Sequence, residues 1–328
     1  MKRRVALATL GGIAAGLTLS ARAQEASIPV IGFLGANSPD QSSDRLVSFL
    51  QALKDTGYVD GVNVRIEYRW AGGHTDRFPG LVADLVRRHV AVIVAGGGTP
   101  SALAAKAATS TIPIVFETAS EPIETGLVTN LNRPGGNLTG VTNLNVLTGA
   151  KRLELMHELL PRASSFGVLV DPTSPTIASA FSRNVHEAAG TLGLQTHVLQ
   201  ANSESDFDLV FDDLAKLHAA GLIIGPFYSF NAWTGGLAAL TVRHRTPAIF
   251  QYRPFVAAGG LLSYGSSETE YFAQVGAYTG RILAGEKPAD LPIQQARKIE
   301  LFINLKTARA LGITIPQSLL ARADEVIQ

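Results

Sequence analysis

Short apolar runs alternate with amphipathic stretches along most of the chain. Val30-Ile31-Gly32-Phe33-Leu34 is a continuous apolar run, the pattern of a strand buried on both faces. Residues 42–56 carry Leu46, Phe49, Leu50 and Leu53 at helical spacing and predict a helix with one buried face. Val62–Arg69 alternates as a strand, 76–88 predicts a helix, and Val90–Ala95 predicts a strand running into Gly96-Gly97-Gly98, read as a tight turn. Ser101–Ala108 and Ile112–Phe116 continue as helix and strand. Repeated strand–helix–strand units imply a parallel sheet with helices on both faces.

The second half repeats this order. Gly32-Phe33-Leu34 before Ser38-Pro39 is echoed by Gly167-Val168-Leu169 before Ser174-Pro175, and Ile112-Pro113-Ile114-Val115-Phe116 by Thr246-Pro247-Ala248-Ile249-Phe250. Between these echoes the pattern predicts helices at 175–191, 205–218 and 231–245 and strands at Leu194–Leu199 and Gly221–Gly225. The fold class is therefore α/β, two lobes each built on a parallel sheet. The expected boundaries are 24–142 plus about 265–290 for the first lobe and 143–264 for the second. Residues 291–328 form a strand–helix tail whose lobe is open.

Charge changes the picture at the N-terminus. The chain has 28 Lys+Arg against 27 Asp+Glu, a net charge of +1. Lys2, Arg3, Arg4 and Arg22 account for four of the bases, and residues 1–23 hold no acid, so the remainder has a net charge of −3. Basic residues, an apolar run from Val5 to Leu19 and Ala21-Arg22-Ala23 follow one another in the order of a secretory signal peptide, with cleavage expected after Ala23. Arg3-Arg4 leaves open whether export is general or twin-arginine. The apolar run is too short for a membrane span of about 20 residues, so the chain is expected in the periplasm and not embedded in a membrane. It has no basic excess for nucleic acid. It also has no cysteine, which excludes disulfides, thiolate metal sites and a lipid-modified N-terminal cysteine anchor.

Enzyme signatures are missing: G-x-S-x-G, G-x-x-x-x-G-K-[ST] and H-E-x-x-H do not occur, and the seven histidines are dispersed. No catalytic residue, metal or cofactor is expected. In open parallel sheets, ligands sit beyond the carboxyl ends of the strands. That rule makes candidate contacts of Asn37 and Ser38, Thr99 and Ser101, Ser120 and Glu121, Asn143, Asp171, Tyr228, Tyr252 and Tyr264. Thr99 and Ser101 stand at a helix start that attracts anions. Glu121 and Asp171 would accept hydrogen bonds from an amine, and the tyrosines would supply a wall. The same Ser, Thr and Asp residues also suit plain helix capping.

Several segments together resemble a family of bacterial ABC-transporter substrate-binding proteins. They are Ile31-Gly32-Phe33-Leu34, the run Val92–Pro100, Leu131-Asn132-Arg133-Pro134-Gly135-Gly136-Asn137, Gly149-Ala150-Lys151-Arg152-Leu153-Glu154-Leu155 and Leu320-Ala321-Arg322-Ala323-Asp324-Glu325. The resemblance implies the type I periplasmic-binding-protein fold: two Rossmann-like lobes joined by a hinge of three crossovers. It implies a small-molecule ligand and a membrane permease as partners, and some of the family is tied to tryptophan or tyrosine uptake. It puts Asn37, Ser38, Thr99, Ser120, Glu121, Asn143, Asp171 and Tyr264 at ligand-contacting loops. Where many members carry Gly-Asp-Pro, this chain has Ser120-Glu121-Pro122. The expected function is a monomeric binder that closes on a small polar or aromatic ligand, such as an amino acid, and delivers it to the permease. A secreted α/β hydrolase or lyase, and a binding module feeding a sensor kinase, are the alternatives.

Overall fold

The computed structural model describes residues 28–40 and 43–328, so the leader expected over 1–23 lies outside the described residues. In the first half, the chain forms β1 (Val30–Gly35), α1 (Ser43–Asp55), β2 (Arg65–Trp70), α2 (Phe78–Arg87), β3 (Val92–Gly96), α3 (Gly98–Ala108), β4 (Ile114–Thr118) and β5 (Leu138–Thr142). These strands pair in the order β5-β4-β3-β1-β2, parallel throughout. The second half forms α4 (Gly149–Leu159), β6 (Ser165–Val170), α5 (Pro175–Leu192), β7 (Gln195–Gln200), α6 (Phe207–Lys216), β8 (Leu222–Ile224), α7 (Tyr228–Ala232), α8 (Thr234–Arg243), β9 (Ala248–Phe250), α9 (Arg253–Ala257) and β10 (Leu262–Ser266). Its strands pair β10-β9-β8-β6-β7, which is the first order with every strand advanced by five. The echo between the halves is thus an echo of topology.

The chain then goes back and forth. After β10 it enters the first lobe as α10 (Glu268–Leu283) and β11 (Gln294–Gln295), which adds to the β5 edge. It returns to the second sheet as β12 (Ile299–Asn304), antiparallel to β10, followed by α11 (Leu305–Leu311), α12 (Gln317–Leu320) and β13 (Glu325–Ile327). Among the described residues the sheets therefore have six and seven strands, and the chain passes between them at three places: 143–148, Ser267 and 296–298.

Each sheet is packed on both faces, as parallel sheets require. In the first lobe, Phe49 and Leu53 of α1 and Tyr271, Phe272 and Val275 of α10 cover one face. Phe78, Val82 and Leu85 of α2, with Ala102 and Ala105 of α3, cover the other. Helices α1 and α10 lie so close that a Cβ at Gly276 would collide with the Phe49 carbonyl, and one at Gly280 with the Thr56 side chain. Glycine is there because the two backbones approach.

Four expected elements differ, the first being the helix read from Ser101, which begins at Gly98, so that the last glycine of the expected turn opens α3. The strand read over 62–69 begins at Arg65, because Gly61 (φ +78°) and the Asp60–Val64 bridge form a turn ahead of it. The helix read over 231–245 is two helices, α7 and α8, separated by Trp233. The Trp233 ring packs 5.7 Å from Phe207, and Gly235-Gly236 weakens helical continuity beside it. The strand read over 112–116 is shifted to Ile114–Thr118, which ends it on the polar pair Glu117-Thr118.

Candidate functional site

The carboxyl ends of the two sheets face each other, so the side chains that follow those strands meet between the lobes. Tyr228 opens α7 in the second lobe and reaches into the first, where its hydroxyl donates to Glu117 Oε1. Gly98, at φ +76°, makes room for it: a Cβ there would strike the Tyr228 ring. Glu117 is fully buried. Its carboxylate also accepts from the Gly98 N–H and, at 3.3 Å, from Asn143 Nδ2. Burial pushes the Glu117 carboxyl up to about 7, against the Tyr228 and Gly98 donors and the Arg45 guanidinium, which favour the charged form. Burial likewise raises the Tyr228 hydroxyl, so it stays protonated.

A second network ties the crossovers together. The Tyr252 hydroxyl lies 3.0 Å from that of Tyr271 and accepts from Asn145 Nδ2 at 2.9 Å. Asn145 Oδ1 takes the Ser266 N–H at 2.9 Å, and the Ser266 hydroxyl donates to the Asn143 carbonyl. Arg152 is wholly buried behind this network. Its Nε donates to the Tyr264 carbonyl at 2.8 Å, Nη1 to Ile224 at 3.3 Å, and Nη2 to Asn145 at 3.3 Å and Thr148 Oγ1 at 2.9 Å. Burial pulls its guanidinium down to about 9.

Among the spaces between the lobes around these bridges are four of note. A chamber of about 260 Å³ has Asn37, Arg45 and Glu268 on the first-lobe side and Asn231, Tyr252 and Phe255 on the other. A cleft of about 520 Å³ sets Thr99, Pro100 and Thr125 against Thr173, Ser174 and Ile177. A space of about 180 Å³ has Ser120, Glu121 and Glu124 facing Arg183, Asn184 and Glu187. Thr99, Asp171 and Tyr228 line a gap of about 20 Å³, room for about one water.

The residues singled out from the sequence fall into distinct groups. Asn37, Asn143, Tyr228 and Tyr252 gather around Glu117 and the 260 Å³ chamber. Thr99 bonds Thr118, hydroxyl to hydroxyl, at 2.6 Å beside the larger cleft. Asp171 Oδ1 accepts from the Thr173 N–H and hydroxyl in its own turn, and Oδ2 accepts from Ser229 of α7 at 2.6 Å, so one oxygen serves the turn and the other ties it to α7 beside the small gap. The Ser120 hydroxyl is buried without a partner, and Glu121 is raised by burial and then by Glu124. Ser101 accepts the Gly97 N–H and donates to the Gly98 carbonyl, which is capping of α3. Tyr264 lies within β10 and lines none of the four spaces, and Ser38 sits half-buried just past Asn37.

Sequence reasoning passed over Arg45, Glu268 and Tyr271, and it had Glu117, Asn231 and Asn145 only as members of strand-end or crossover segments, not as contacts in their own right. Two of them carried a signal. Glu117 is a charge at the next-to-last position of a parallel strand that is apolar up to that point, and Arg45 shares the buried face of α1 with Phe49 and Leu53, at spacings of four. Among the described residues, no group of three or more His, Asp or Glu side chains is placed to hold a metal ion.

Known proteins share this architecture. A tyrosine-binding protein of Clostridioides difficile is 27% identical over 273 residues, 81% of this chain and 75% of the relative. A conserved domain protein of Vibrio cholerae superposes with a TM-score of 0.84 at 27% identity, covering 91% of this chain and 99% of the other. An ABC domain from Streptococcus pneumoniae, solved with L-Trp, also superposes at 0.84, with 25% identity over 92% of this chain and all of the other. The two-lobed fold is that of periplasmic binding proteins. Residues 27–327 match the family described as ABC transporter substrate binding protein, and the chain belongs to that family.

Proposed function

We propose that this protein is an exported, monomeric solute receptor that closes its lobes on a small amino acid, aromatic or apolar in its side chain, and hands it to a membrane permease. The observation that carries the reading is the meeting of the lobes. Tyr228 of one and Glu117 of the other are joined in a fully buried contact, with cavities of ligand size on either side. A contact of this kind forms when the lobes close and breaks when they open, so a ligand touching both lobes shifts the balance toward closure. Relatives named for tyrosine binding or solved with L-Trp support the amino-acid class. Among the described residues no helix is long and apolar enough to cross a membrane.

The test is calorimetric titration and thermal melting against the common L-amino acids. A true ligand raises the melting temperature through linkage, by about 2.7 kcal/mol of stability at a hundredfold excess over Kd. Small-angle scattering with and without it should show a smaller radius. If no amino acid moves either observable, the reading fails. N-terminal sequencing of the exported protein checks the expected start at Gln24.

A further inference from the structure

The chamber of about 260 Å³ has a polar end and an apolar end. At the polar end Arg45 and Glu268 form an ion pair at 3.5 Å, with side chains 7% and 21% exposed. Burial raises the Glu268 carboxyl despite the Arg45 guanidinium beside it, whereas the burial of the Arg45 charge is outweighed by the acidic groups around it. Around the pair stand amide groups short of partners. Asn37, 1% exposed, has Oδ1 buried without a hydrogen bond, and Asn231 has Nδ2 in the same condition. Behind Asn231 and outside the chamber lining, Gln251, 3% exposed, donates its Nε2 to Asn231 Oδ1 at 3.0 Å, and its own Oε1 is unmet. Turning both amides of that pair over exchanges the two roles and still leaves one donor and one acceptor unmet. At the apolar end lie Phe250, Tyr252, Pro254 and Phe255, the two phenylalanine rings edge to face at 5.8 Å.

We propose that this chamber seats the head group of an α-amino acid. The ammonium group points to Asn37 Oδ1 and Glu268, the carboxylate to Arg45 and the unmet donor of the Asn231–Gln251 pair, and the side chain rests on Phe250, Tyr252 and Phe255. The proposal rests on the amino-acid reading above and says which groups recognise the ligand. The complementarity is one of charge as well as hydrogen bonds. The chamber brings one cation and one anion of its own, so a zwitterion adds no net charge, whereas an amine or an acid alone leaves a buried charge uncompensated. Contacts come from both lobes, as closure on a ligand requires.

The experiment titrates the full-length mature protein at pH 7 with L-tyrosine and L-tryptophan. In parallel it titrates tyramine and tryptamine, which lack the carboxylate, and the matching arylpropionic acids, which lack the amine. Wild type should bind at least one amino acid and bind both of its truncated analogues at least a hundredfold more weakly. Asn231→Asp places a carboxylate against that of the ligand. It should weaken the amino acid at least tenfold and the amine much less, so the ratio between them falls. Asn37→Leu removes the acceptor and should weaken the amino acid and the amine together. Melting of each ligand-free variant identifies a folding defect, and the analogue series on wild type needs no variant at all. If wild type binds neither of these nor any other common L-amino acid, the amino-acid reading and this assignment both fall. If it binds one but accepts the truncated analogues within a few-fold, or if both variants keep wild-type affinity, the assignment alone is overturned.

Discussion

Closure should be coupled to a proton through Glu117. With the lobes apart, this carboxylate would face water and titrate near its ordinary 4.5; in the closed structure burial holds it at about 7. The difference corresponds to about 3 kcal/mol between the two protonation states. Because the value is raised in the closed form, that form binds the proton more tightly, and the advantage is fully present below about 4.5 and lost as the pH rises through 7. Ligand affinity should therefore weaken by up to about tenfold per pH unit across that window and level off above it. The groups facing Glu117 do not reverse the sign. The Arg45 guanidinium remains charged, and the Tyr228 and Tyr271 hydroxyls, both raised by burial, remain neutral. Glu268 is also raised by burial, against the Arg45 guanidinium that favours its charged form. Calorimetry at pH 6 in two buffers of different ionisation enthalpy should register close to one proton taken up per ligand bound, and almost none at pH 8.5. Glu117→Gln, which mimics the protonated acid, should hold its affinity at pH 8 and lose most of the slope. Binding that is independent of pH, or a variant with the wild-type slope, would refute the reasoning.

Other expected outcomes follow from the same contacts. Tyr228→Phe removes the donor that joins the lobes and leaves a buried acceptor unmet, a loss of about 1–3 kcal/mol in the closed form, read as at least a fivefold weaker Kd with the ligand-free melting point little changed; unaltered affinity would contradict it. Gly98→Ala puts a Cβ into the Tyr228 ring at a left-handed φ, so the variant should fold by circular dichroism yet fail to compact in scattering when ligand is added. If its radius shrinks like that of wild type, Tyr228 does not need Gly98 for closure. Arg152→Met leaves the Tyr264, Ile224 and Asn145 carbonyls without their donor and should lower the stability measured by urea unfolding by about 3 kcal/mol. An unchanged unfolding midpoint would show that the guanidinium is dispensable.

The architecture was legible because parallel strands buried on both faces must be apolar, and runs such as Val30–Leu34 and Val90–Ala95 announce themselves. The repeated order was legible for the same reason, since two equal topologies need two equal strings of apolar runs. The rule that ligands gather at strand carboxyl ends placed Asn37, Thr99, Asp171, Tyr228 and Tyr252 along the cleft between the lobes. It did not distinguish residues that face the cleft from those spent on their own turn, as Ser101 is. Pairings across the cleft were illegible because they join distant parts of the chain: Tyr228 and Glu117 are 111 residues apart, and nothing local to either reports the other. The short β11 and β13 escaped notice since two or three residues carry no periodicity.

The route of the chain between the lobes bears on when they can form. The first sheet is roofed by α10 and edged by β11, and the second gains β12 and β13 after that. A nascent chain emerging in order would thus possess, at residue 142, five strands of the first lobe with Phe49, Leu53 and Val94 still lacking the cover that Tyr271, Phe272 and Val275 provide. The second lobe likewise waits for β12 to sheathe its β10 edge. Neither half matures while the other is being made. Both are completed only by residues 268–327, so a chain stopped before Glu268 carries two unfinished cores instead of one finished lobe.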